Sequence, residues 1–128
     1  KTKGRETENK FVEWLHLFGI KAAERRRLNG ILDKGDIAGW TSVDQERTVC
    51  VEVKSGAQLS IPQWIRELYA EMRNSKADTG FVAVRPKGKP SVEDWFAVLP
   101  MPVLMKLMIE AGYVKEKFEE EATSRMSR

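Results

Sequence analysis

The stretch from Gly35 to Ser55 reads GDIAGWTSVDQERTVCVEVKS, and two segments inside it decide the fold. Thr48 to Lys54 is rich in valine and alternates poorly, the pattern of a mostly buried central strand. Asp36 to Trp40 reads as a shorter strand before it. Side chains alternate faces along a strand, so Glu52 and Lys54 project to one side and Val53 into the opposite layer. Asp36 opens its own strand. If the two strands pair as a hairpin, its carboxylate meets Glu52 near one end of the sheet.

The flanking segments supply the layers around that hairpin. Phe11, Trp14, Leu15 and Phe18 recur at helical spacing, which predicts a helix from about Thr7 to Phe18 that stops at Gly19. Ile20 to Arg26 reads as a short strand, and Asn29-Gly30 marks a turn between Leu28 and Asp33. Ser60 opens a second helix, with Pro62 in its first turn and Gln63 at the capping-box position. Its apolar face is read as Trp64, Ile65, Leu68, Tyr69 and Met72. Phe81 to Val84 and Trp95 to Leu99 read as two antiparallel strands around a stiff basic loop, Pro86 to Pro90. A third helix follows near Val103 to Ala111. The order helix, three strands, helix, two strands, helix predicts an α/β fold with a mixed sheet. The main domain is placed over residues 1–112, and the charged, helix-prone residues 113–128 form a C-terminal tail.

With 128 residues and 41% hydrophobic content, the chain suits one compact domain with a real core. Its net charge of +3 is too small to prove a polyanionic partner. The distribution says more: residues 1–34 carry nine basic side chains against five acidic ones. That local excess exceeds the net charge of the whole chain and suits a phosphate-binding face as well as a solvated one. Candidate phosphate contacts are Lys3, Arg5, Arg25, Arg26, Arg27, Lys34, Lys87 and Lys89. No base-reading element stands out, which favours recognition of nucleic-acid shape over sequence. Cys50 is the sole cysteine, so the chain forms no internal disulfide and no cysteine-based zinc site. Inside Val49-Cys50-Val51 it reads as a buried small hydrophobe. The sequence shows no bilayer-spanning run and no secretory signal, and a soluble intracellular protein is expected.

Asp36 and Glu52 carry the chemistry. Two adjacent carboxylates repel unless a cation compensates them, and the usual answer is a hard divalent ion such as magnesium. Water bound to such an ion loses a proton more easily and becomes a nucleophile. Lys54 beside it can position that water and stabilise charge developing on phosphorus. The same residues also suit a plain surface pair, Glu52 with Lys54, and a turn at Asp36. The order helix, Asp strand, Glu-x-Lys strand, helix favours the catalytic reading. Glu8 adds to it by sharing a helix face with Phe11, Val12 and Leu15. An acid on a packing face is costly without a partner, although favourable placement near a helix start also accounts for it. Gln63 is explained equally by capping and by a role at the site. His16, on the flank of the first helix, is assigned no role.

Gly4 with Glu8 four residues later, Gly35-Asp36-Ile37, Val51-Glu52-Val53-Lys54-Ser55 and a helical Gln63 occur in a specific order and spacing. In these motifs, over roughly residues 3–85, the chain resembles the archaeal-type Holliday junction resolvases of the PD-(D/E)XK nuclease superfamily. The resemblance implies a restriction-endonuclease-like fold, a central mixed β-sheet flanked by helices. It implies magnesium-dependent cleavage, with manganese able to substitute, and a homodimer that cuts opposed strands of four-way DNA junctions. Glu8, Asp36 and Glu52 would serve the metal, with the Val53 carbonyl as a further ligand. Lys54 would support the attacking water and Gln63 would assist. The expected setting is the cytoplasm of a prokaryotic or phage-infected cell. Gly35 stands where the superfamily often has proline, and either residue suits a turn before a strand. The part after about Pro86 has no counterpart in the family. Two other readings are a nuclease acting on duplex or flap DNA, and a non-catalytic DNA-binding module with structural carboxylates.

Overall fold

Phe11 and Leu15 lie one turn apart and are almost fully buried, which seats helix α1 (Thr2–Leu17) on one face of a sheet. The helix begins five residues before the expected Thr7. Arg85 anchors its second turn. Its Nη1 donates to Glu6 Oε1 and Thr7 Oγ1, each at 3.1 Å, and so ties the early turns to the sheet. The computed structural model describes residues 2–27, 30, 32–56 and 60–116, excluding the side chains of Thr2 and Lys3. The predicted phosphate contact of Lys3, residues Leu28, Asn29 and Ile31 of the predicted turn, and the tail beyond residue 116 lie outside the described residues.

The sheet has five strands in the order β1 (Glu24–Arg25), β2 (Ile37–Ala38), β3 (Val49–Ser55), β4 (Thr79–Arg85) and β5 (Phe96–Val98). β1 with β2, β2 with β3 and β4 with β5 are antiparallel, while β3 and β4 run parallel over seven residue pairs. Parallel neighbours need a crossover, and helix α2 (Ile61–Ser75) supplies it. The expected α/β class with a mixed sheet is therefore observed. The first two strands, of two residues each, are shorter than the five- to seven-residue segments read from the sequence.

β3 shows why the alternation argument works. Val51 and Val53 face α1 with Phe11, Leu15, Ile37 and Ala83. Cys50 faces α2 with Trp64, Leu68, Val82 and Val84. Glu52 and Lys54 belong by alternation to this second face. Cys50 is 1% exposed, and burial pushes its thiol up to about 12, so it is an inert core residue.

Two details of α2 differ from the expectation. Ser60 does not cap the helix through its side chain; its hydroxyl donates instead to Gln63 Oε1 at 3.3 Å. The capping box is absent because the Ser60 hydroxyl is turned to that neighbouring amide. The buried face is also rotated: it runs Trp64, Leu68, Glu71, while Tyr69 is exposed. Spacings of four and seven keep these three residues within one narrow stripe.

The chain divides into two compact units, Lys1–Val98 and Leu99–Arg128. The second holds helix α3 (Met101–Glu110), whose end is closed by the Ala111 and Tyr113 amides on the Leu107 and Met108 carbonyls. Among the described residues, no helix is long and apolar enough to cross a membrane.

Candidate functional site

Asp36 sits where the sheet hands over from β1 to β3. Its carbonyl accepts from Arg26 N–H and its own N–H donates to Val51 O, both at 2.8 Å. Its carboxylate continues the ladder, since Oδ2 accepts from Val53 N–H at 2.8 Å. The hairpin of β2 and β3 (Ile37 opposite Val51) thus brings the Asp36 side chain against Glu52, where it acts on the Glu52 carboxyl both by direct contact and through space.

Gly35 permits this approach. It adopts φ +96, and a Cβ there would lie 2.9 Å from Cys50 Sγ and 3.1 Å from Val51 O. Proline cannot take a positive φ. It would also lose the bond from Gly35 N–H to Asp33 Oδ1 at 2.9 Å. Glycine and proline are therefore not equivalent before this strand, contrary to the expectation from sequence.

Glu52 is only 7% exposed. Lys54 Nζ lies 3.7 Å from Glu52 Oε2 and 3.1 Å from Glu67 Oε1 on α2. Burial alone would lower the Lys54 ammonium, but Glu67 and Glu52 outweigh it and hold the group charged. Gln63 is one step removed: its amide donates to Glu67 Oε2 at 3.2 Å. Glu8 lies on the opposite, α1 side and is engaged by Arg25 Nε at 2.9 Å. Burial raises the Glu8 carboxyl, the Arg25 hydrogen bond opposes that rise, and the Asp36 charge adds to it. Glu8 thus feels the site while being held by another partner.

A further acid, absent from the sequence reading, completes the picture. Glu71 on α2 is 2% exposed. Asp33, Glu52 and Glu71 each offer a carboxylate oxygen within 4.8 Å of the others, an arrangement that could hold a metal ion. Glu52 Oε1 and Glu71 Oε1 are buried without a hydrogen-bond partner. Native proteins rarely leave such atoms orphaned, so the donor set fits a hard cation. Glu71 was legible in principle. It lies seven residues after Trp64 on an apolar helix face, the same anomaly that singled out Glu8. Asp33 carried a weaker signal, the Asp-x-Gly turn. Asn74 Nδ2 staples that turn to α2 by donating to Asp33 O at 2.8 Å.

Burial is the main cause that raises both Glu52 and Glu71 above the ordinary carboxylate range. Asp36 then raises Glu52 further. For Glu71, a hydrogen bond with Glu52 pulls downward and Asp33 pushes upward. The pair therefore titrates as a unit. The sign of the stability effect follows. Above the usual 4.5 the unfolded chain has released protons that the folded site retains, so stability is full below that pH and falls as pH rises. In chelator, the melting temperature is expected to drop by about 5 °C or more between pH 5 and pH 9. A flat or rising profile would contradict this electrostatic picture.

Of the basic residues, Arg25 is committed to Glu8, and Arg26 Nη2 reaches Ile37 O at 3.4 Å. Arg5, Arg27, Lys34, Lys87 and Lys89 are exposed. His16 Nε2 lies 2.8 Å from Ala23 O, a structural contact. A scan against protein-family models, a search of curated proteins and a search of solved structures each found no match.

Proposed function

We propose that this protein is a magnesium-dependent DNA endonuclease of the restriction-endonuclease-like class, cutting four-way junctions. One observation carries the reading: Asp36, just before β2, bonds the backbone of β3 at Val53, next to Glu52, whose carboxylate has the Lys54 ammonium at 3.7 Å. The element order of helix, three strands, crossover helix and parallel strand is the framework that such a site requires. Asp36 and Glu52 would hold the ion, with the Val53 carbonyl as a further ligand and Glu8 acting from behind Arg25. The ion would supply charge neutralisation and a more acidic water. Manganese would serve in its place.

The chain's own contributions follow from its geometry. Lys54 stays protonated, so it acts as a fixed positive charge and hydrogen-bond donor rather than as a base. It orients the attacking water and stabilises charge on the phosphoryl oxygens. In-line attack forms the new oxygen–phosphorus bond and breaks the bond to the 3′ oxygen; the attacking water gives its proton to solvent, the 3′ oxygen takes one from solvent, and the products are a 5′-phosphate and a 3′-hydroxyl. Gln63, through Glu67, steadies Lys54. Exposed Arg5, Arg27, Lys34, Lys87 and Lys89 would meet the DNA backbone. Two opposed cuts need two such centres, hence a homodimer.

The test is a panel of labelled four-way junction, flap and linear duplex DNA, each with magnesium and with chelator. The expected result is junction cleavage in magnesium alone. Preferential cleavage of flap or duplex would move the substrate assignment. DNA binding without turnover on any substrate would replace the enzyme with a binding module.

A further inference from the structure

The geometry points to a divalent-cation site formed by Asp33, Glu52 and Glu71, built on α2 and sharing only Glu52 with the Asp36–Glu52 pair. Three independent features converge on it. The three carboxylates present oxygens within 4.8 Å of one another. Glu71, 2% exposed, and Glu52, 7% exposed, each keep one buried carboxylate oxygen that no donor from outside the acidic group meets. The chain is also arranged to hold the group together: Asn74 fastens the Asp33 loop to the helix that carries Glu71, and Gly35 N–H fixes Asp33 Oδ1.

A purely structural cluster would contain compensating donors. The nearest ammonium, Lys54, lies on Glu52 Oε2 and Glu67 instead, leaving Glu52 Oε1 and Glu71 Oε1 to a different partner. Asp36 does not share this role. It stands outside the group of three. Oxygen-only donors select a hard cation of the magnesium, manganese or calcium kind. Asp33 is exposed, so waters can complete the coordination shell from that side.

The site shares Glu52 with the nuclease reading but does not depend on it. Manganese titration of the intact protein, followed by the electron paramagnetic resonance signal of the free ion, tests it directly. Wild type is expected to bind. Glu71→Gln and Asp33→Asn are expected to weaken binding by at least about tenfold. Melting in chelator controls for folding: Glu71→Gln should melt at or above the wild-type temperature and lose the stabilisation that manganese confers. Should that variant fail to fold, Asp33→Asn, altered at an exposed side chain, decides alone. Wild-type affinity in Glu71→Gln and Asp33→Asn, or no binding by wild type, overturns the inference. Loss of binding in these variants without cleavage of any DNA by wild type would sustain it while removing the nuclease reading.

Discussion

Glu52→Gln is expected to lower magnesium-dependent junction cleavage by about 1000-fold or more, a loss of roughly 4 kcal/mol in transition-state stabilisation. The same variant is expected to melt higher than wild type in chelator at pH 8. The two effects have one origin. Glu52 is buried between Asp36 and Glu71, and its charge is resisted by burial and by both neighbours. An amide of the same size removes that repulsion and can donate to either carboxylate. It also removes an oxygen of the proposed metal site and the charged partner of Lys54 at 3.7 Å. A glutamate kept for stability would move both measurements downward. Wild-type cleavage, or a lower melting temperature, would contradict the role given to it.

Gly39→Ala is expected to destabilise the protein by about 2–4 kcal/mol, read by urea or guanidinium unfolding. Gly39 follows β2 at φ +84, a conformation that L side chains rarely adopt. A Cβ there would collide with the Ala22 carbonyl, a backbone atom that no rotamer change can move. Relief requires β1 to separate from β2, whose register pairs Glu24 with Ala38 and Arg25 with Ile37. That movement would also loosen the Arg26 N–H to Asp36 O bond that seats Asp36. Cleavage should therefore fall along with stability. A variant within about 0.5 kcal/mol of wild type would show that the close approach of Gly39 to Ala22 is not maintained in solution.

These two positions show what was and was not legible in the sequence. The hairpin and the Glu52–Lys54 side could be read because strand alternation is local and has period two. The same reasoning placed Val51 and Val53 in the opposite layer, where they pack with Phe11 and Leu15. The α/β class with a mixed sheet followed from element order, because strands joined by a helix pair in parallel. Features that depend on tertiary geometry did not follow. Gly35 and Gly39 gave no hint of how closely the backbone of Val51 or Ala22 approaches. Ser60 had the spacing of a capping box, but its hydroxyl turns to the Gln63 side chain. Glu71 was missed because the face of α2 was drawn through Tyr69 rather than through position 71. The pairing of Glu8 with Arg25 joins residues seventeen positions apart across two elements, which no local pattern encodes.

The most direct test compares wild type with Asp36→Asn on a synthetic four-way junction in magnesium, scoring cleavage and binding separately. Asn can still accept the Val53 N–H bond, so the sheet should persist while the charge is lost. The account predicts that wild type cuts, whereas the variant binds the junction with near-unchanged affinity and does not cut it. Cleavage by the variant at the wild-type rate would contradict it.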